Sequence, residues 1–266
     1  MKTCVVLALF LMAGVSLADI LKRIIGGRRC TPQEEQHYVF LETTDPTGAG
    51  FICSGSVIGR GRTGLWVLTA AHCDEGGPSF TVKSADRSVT QTVGRPQTFQ
   101  HPTADVMLLR LSQPMTPIRL ATDAECTALR NRLNAKKPET FRITARDTQA
   151  RADYFKYGGG VNPDVTMCAS IIVKTLGPFN GVVVHTNQVS QNECCRGLPT
   201  PGCKTCGGDS GSGYISINAL YAVHGGIGEK NLTNGMIIPN FRDADGFTIC
   251  DTNIRQWIDQ TMMAHP

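Results

Sequence analysis

The chain has 266 residues, 41% hydrophobic and 18% charged. That is below the roughly 25% charged fraction of average soluble domains, so a packed globule is expected rather than a charge-swollen disordered chain. Lys and Arg outnumber Asp and Glu by only four and never form a run of five, which argues against nucleic acid or a membrane surface as partner.

Lys2 precedes an apolar run over residues 4–17, and Ser16-Leu17-Ala18 sets small residues around a larger one. This is the pattern of a secretory signal over 1–18, cut after Ala18. About 14 apolar residues fall short of the roughly 20 that cross a bilayer core. Removing the signal takes Cys4 with it and leaves an even number of the 11 cysteines, which in an oxidising compartment reads as a set of disulfides. Next comes Arg23-Ile24-Ile25-Gly26-Gly27, a basic residue followed by a hydrophobic pair and a flexible pair.

Short apolar or β-branched stretches at 39–41, 64–68, 106–111, 170–173, 181–184 and 214–223 read as strands, most of them bounded by Gly, Pro, Asp or Asn. Such spacing favours an antiparallel sandwich or a pair of barrels. Gly158-Gly159-Gly160 reads as a loop, because neither flank supplies the strand, helix and Lys of a phosphate cradle. From Thr252 onward, Ile254, Trp257, Ile258, Thr261 and Met262 recur at helical spacing, with Asp251 or Thr252 as N-cap.

Three further words carry chemistry. Leu68-Thr69-Ala70-Ala71-His72-Cys73 ends a strand on an imidazole beside a cysteine. Ala104-Asp105-Val106-Met107-Leu108-Leu109 sets an acid before an apolar strand. Cys206-Gly207-Gly208-Asp209-Ser210-Gly211-Ser212-Gly213 surrounds a serine with glycines, which permit a sharp turn and aim backbone N–H groups at one spot. A serine hydroxyl is a poor nucleophile near neutrality and needs a neutral base, a role that suits His72. A lone His or Ser is usually structural. All of these words in this order, in an exported cysteine-rich chain, are hard to obtain by accident.

The words resemble those of the trypsin/chymotrypsin-like serine proteases, from Ile24 to the terminal helix. The resemblance implies an all-β fold of two antiparallel Greek-key β-barrels with a C-terminal α-helix. The first barrel would cover about 24–125, the second about 126–250 and the helix about 252–264. It implies a secreted serine endopeptidase made as a zymogen and working through an acyl-enzyme intermediate, with His72, Asp105 and Ser210 catalytic. The backbone N–H groups of Gly208 and Ser210 would receive the oxyanion. Cutting after Arg23, at the end of a propeptide over 19–23, would release an α-amino group at Ile24 to pair with Asp209. Implied partners are a protein or peptide substrate, an activating protease of basic specificity and a protein inhibitor, acting on a monomer without cofactor or metal.

By position relative to these motifs, the resemblance pairs Cys53 with Cys73, Cys30 with Cys168 and Cys126 with Cys250. Cys194, Cys195, Cys203 and Cys206 remain. A vicinal 194–195 bridge would be strained, which leaves Cys194 with Cys203 or with Cys206. The rival reading of Cys203-x-x-Cys206 is a zinc site, disfavoured in an exported chain whose thiols oxidise.

Departures from the family bear on the substrate. Lys204 falls at the floor of the primary specificity pocket, which argues against cutting after Lys or Arg and makes an acidic side chain the simplest complement. Asp243 or Asp245, in a stretch resembling the pocket's far wall, would instead neutralise Lys204 if it points inward; a third reading turns Lys204 to solvent. Val223-His224-Gly225-Gly226 resembles the strand that pairs with substrate backbone, with His224 and Gly226 as binding residues, but lacks the family's usual aromatic. Only Thr103 and Ala104 separate His101-Pro102 from Asp105, so an overhanging loop looks shortened. Asn231-Leu232-Thr233 fits an N-glycosylation acceptor. The competing functional class is a secreted, catalytically weak or inactive homologue acting as a binding protein.

Overall fold

A computed structural model describes residues 28–59, 64–137, 139–146, 166–176, 182–186, 209–231 and 237–266. It begins with β1 (Arg28–Arg29) and a single helical turn, α1 (Pro32–Glu35). Seven strands follow: β2 (Tyr38–Thr44), β3 (Gly50–Gly59), β4 (Leu65–Thr69), β5 (Ser79–Ser84), β6 (Thr90–Gly94), β7 (Thr98–Gln100) and β8 (Met107–Arg110). They form one antiparallel sheet in the order β6-β5-β2-β3-β4-β8-β7. β6 and β7 lie at opposite ends of that order, yet only Arg95–Gln97 links them. Laid flat, seven strands would hold those ends about 29 Å apart, whereas three linking residues reach about 14 Å. The sheet therefore curls around its core, where Trp66, Leu68, Phe80, Leu108 and Leu109 are fully buried.

The second sheet comprises β9 (Arg119–Leu120), β10 (Glu139–Arg146), β11 (Thr166–Leu176), β12 (Val182–Thr186), β13 (Gly213–Ser216), β14 (Ala219–Asn231) and β15 (Ile237–Thr248), joined by β1. Its path runs β11-β10-β13-β14-β15-β12, and β12 pairs again with β11. Six strands thus close a ring. β1 adds to it by pairing Arg28 with Cys168, so residues 28–29, expected within the first barrel, belong to the second sheet. The chain is all-β in its sheets, with two curled antiparallel layers and a terminal helix.

Two local expectations change. The stretch 214–223 is two strands, because Ile217 and Asn218 adopt φ of 45° and 57°, the paired left-handed conformation of a tight hairpin turn. An unpredicted helix, α2 (Asp123–Asn134), follows Thr122, whose hydroxyl accepts from the Glu125 amide while the Glu125 carboxylate accepts from the Thr122 amide. At the C-terminus, α3 (Thr252–Ala264) forms as read, with Asp251 accepting from the amides of Asn253 and Ile254. Ile254, Ile258 and Met262 are buried at four-residue spacing. The Cys126–Cys250 disulfide ties the start of α3 to α2.

His37 and Arg142 lie close together, one just before β2 and the other on β10. Burial, followed by the neighbouring guanidinium, pulls the His37 pKa down to about 4.

Candidate active site

β3 is ten residues long and buried on both faces from Cys53 to Ile58. Strand alternation explains this. Gly55 faces inward, where an added Cβ would meet Val67 and Val39. Ser54 faces the other way and donates its amide to the Ser210 carbonyl at 2.8 Å. A Cβ on Gly213 would likewise press on the Ser56 hydroxyl. The outer face of β3 is thus the seat of the segment that carries Ser210.

The same seat receives the end of β4. After Thr69 the chain makes one 3-10 turn, Ala71–Cys73. Cys73 is bonded to Cys53 of β3, and its sulfur lies 3.9 Å from the Ser210 carbonyl oxygen. Being bonded to Cys53, that sulfur carries no hydrogen, so the contact is packing. Cys53, His72 and Cys73 also cluster closely enough to suggest metal ligands, but the disulfide removes both thiolates that a metal would need.

His72 projects from this turn with its side chain 47% exposed. Its ring Nδ1 and a carboxylate oxygen of Asp105 are 2.6 Å apart. Its backbone N–H donates to the other oxygen at 2.7 Å. Asp105 lies two residues before β8, the neighbour of β4 in the sheet, so adjacent strand ends deliver base and acid together. Burial pushes the Asp105 carboxyl pKa upward, but hydrogen bonding and charge from His72 outweigh it and leave the group below the usual carboxylate value. The carboxylate fixes the ring orientation, leaving Nε2 as the nitrogen available for proton transfer.

On the other side of Ser210, three hydrogen bonds attach its turn to β14. The Gly211 amide donates to the His224 carbonyl, and the His224 amide donates to the Ser212 carbonyl, both at 2.8 Å. The Ser210 hydroxyl donates to the Gly225 carbonyl at 3.3 Å. Gly211 has φ of +84°, a conformation in which glycine is favoured. Asp209, beside the serine, is wholly buried.

His224 bonds within the protein through both its backbone and its ring. Its backbone groups serve the Ser210 turn, and its side chain, 2% exposed, lies 2.9 Å through Nδ1 from the Tyr214 hydroxyl. Gly225, not singled out in the sequence, is the residue that meets the serine; the missed signal was the run of two glycines within a strand, inside β14. Next to it, a Cβ on Gly226 would meet nothing within 4 Å among the described residues. Asp245 of β15 pairs in register with Gly226, which sets that stretch beside the proposed substrate strand.

Cys30 bonds to Cys168, as Cys53 does to Cys73 and Cys126 to Cys250. Asn231 ends β14 opposite Ile237. Arg23, Ile24, Lys204, Gly208, Cys194, Cys195, Cys203, Cys206 and the segment 1–18 lie outside the described residues. Among the described residues no helix is long and apolar enough to cross a membrane.

The sequence profile of the family described as Trypsin matches residues 24–242. The chain is 26% identical to human (Homo sapiens) Kallikrein-8 over 223 residues, covering 76% of this chain and 75% of that protein. It is 28% identical to Snake venom serine protease 5 of Trimeresurus stejnegeri over 214 residues, covering 72% of each. Among solved structures, one titled as an HL collagenase superposes with a TM-score of 0.62 at 17% identity, covering 90% of this chain and 99% of that one. A scabies mite inactivated protease paralogue, S-D1, gives 0.54 at 15% identity, covering 90% and 97%. These two establish likeness of fold.

Proposed function

Because the chain belongs to the trypsin family of serine proteases, we propose that it is a secreted serine endopeptidase made as a zymogen. The observation that carries this reading is the double attachment of His72 to Asp105 beside the seat that holds Ser210. Rotation about its Cα–Cβ bond turns the serine hydroxyl from the Gly225 carbonyl toward His72. The Ser210 oxygen then attacks the scissile carbonyl carbon while its proton passes to His72 Nε2. Asp105 stabilises the resulting imidazolium, and the N–H groups of Gly208 and Ser210 take the charge on the former carbonyl oxygen. Cleavage of the C–N bond returns that proton to the departing amine and leaves Ser210 acylated. Water, deprotonated by the same imidazole, releases the acyl group as a carboxylic acid.

Activation follows from cutting after Arg23 by a protease of basic specificity. The new Ile24 amine pairs with Asp209, whose burial favours a partner of opposite charge. The turn that bears Ser210 is then set by the residue next to it. Lys204 directs specificity away from basic side chains, and the short loop before Asp105 leaves the cleft more open. Secretion, activation and substrates place the partners outside the cell: a peptide or protein substrate, the activator and a protein inhibitor.

A fluorophosphonate probe tests the reading. Protein cut after Arg23 becomes labelled, uncut protein reacts far more slowly, and Ser210→Ala abolishes the signal with turnover lower by about a million-fold. Folded, cut protein that resists the probe would instead be a binding homologue. A peptide-library cleavage profile then reads what Lys204 selects.

A further inference from the structure

The loop before Asp105 is organised around a second histidine. His101 Nδ1 accepts hydrogen bonds from the amides of Thr103 at 3.2 Å and Ala104 at 2.9 Å. The His101 amide donates to the Val106 carbonyl, and the Val106 amide donates to the Ala104 carbonyl, both at 2.8 Å. Two of these four bonds span Asp105, the two on the ring fix the residues directly before it, and the imidazole is the hub of the turn. The ring is itself held, with its centroid 5.1 Å from that of Trp257 in an edge-on contact. Trp257 belongs to α3, so the terminal helix braces the turn from outside.

We infer that His101 is a positioning residue for Asp105, a neutral imidazole whose Nδ1 lone pair shapes the turn that presents the carboxylate to His72. The inference rests on the serine protease reading for its kinetic consequence, but not for its geometry. Two amide donors on one ring nitrogen require that nitrogen to be unprotonated, which puts the neutral ring's hydrogen on Nε2. Adding a proton at Nδ1 would set N–H against two N–H groups and break both bonds. The charged group that acts on the ring is Asp251, at the start of α3, which favours the cation; burial outweighs it and lowers the pKa. The turn can serve this way because it is short. With only Pro102, Thr103 and Ala104 between the histidine and the acid, the amides that His101 holds are those that aim Asp105.

Two readouts test this on protein cut after Arg23. The first is the low-field proton resonance of His72 Nδ1 bound to Asp105, which exists whether or not the protein turns over substrate. It persists in the wild type and in His101→Asn, whose short side-chain carbonyl still accepts from an amide two residues on, and it broadens or disappears in His101→Ala at neutral pH. An unchanged resonance in His101→Ala overturns the inference. The second is the rate of fluorophosphonate labelling against pH. His101→Ala lowers it by about tenfold or more through misplacement of the acid, and His101→Asn recovers most of the loss. As His101 takes up a proton in acid, the wild-type rate falls more steeply than that of His101→Asn, and identical acid limbs in the two overturn the inference. If the wild type resists the probe while the resonance behaves as stated, the protease reading fails and the positioning role stands.

Discussion

A Cβ placed on Gly211 would lie 2.0 Å from the carbonyl oxygen of Ser54 and 2.1 Å from the Thr69 hydroxyl. The residue after the serine is therefore pressed onto β3 and β4 with no room for a side chain, in a left-handed conformation that disfavours one anyway. Gly211→Ala is expected to cost at least about 2 kcal/mol of stability. Its displacement of Ser210 should slow labelling by on the order of a hundredfold. A urea titration and probe kinetics on the same preparation check both effects.

Asp105→Asn keeps the size of the side chain but removes its charge and one of its acceptors. The amide still accepts from the His72 backbone, so the fold should survive with its melting temperature little changed. Turnover should fall by about ten thousand-fold, because the ring loses its fixed tautomer and its counter-charge. Steady-state hydrolysis of a peptide identified by library cleavage gives the number.

Tyr214→Phe removes the hydroxyl that meets His224 Nδ1 inside the second barrel. Loss of this hydrogen bond in a buried setting should destabilise the protein by about 1–3 kcal/mol. Because His224 also holds Gly211 and Ser212, directly after Ser210, through its backbone, labelling should slow as well. The pair of effects is read by calorimetry and by the probe.

His37 supplies an acid dependence of stability. Its folded pKa, about 4, lies below the ordinary value of 6.5, so the unfolded chain binds the proton more readily. The contribution is complete above the unfolded value and drains away as pH falls from 6.5 toward 4, on the order of 2 to 3 kcal/mol. Urea midpoints at pH 7 and pH 4.5 should differ less in His37→Gln than in the wild type.

Much of the first sheet was legible because its strands alternate in a simple way and its chemistry sits at strand ends, where His72 and Asp105 punctuate apolar runs. α3 was legible from Ile254, Ile258 and Met262 on one face. α2 was not: its buried residues, Cys126, Leu129 and Leu133, are too sparse to stand out, although Thr122 and Glu125 marked its start. The hairpin turn at Ile217 and Asn218 was hidden for a different reason. A β-branched residue rarely accepts positive φ, so Ile217, 82% exposed, looked like the middle of a strand. The roles of His224 and Gly225 depend on which way a strand residue faces, and one position of register reverses that.

The ring of the second sheet has a consequence for misfolding. Each of its six strands is flanked on both sides, so no member offers neighbouring molecules an unpaired row of amides and carbonyls along its full length. The five residues of β12 complete the circuit by joining β11 to β15. If that short segment peels away, two sticky margins are uncovered at once, which makes it the place where self-association by strand exchange would begin.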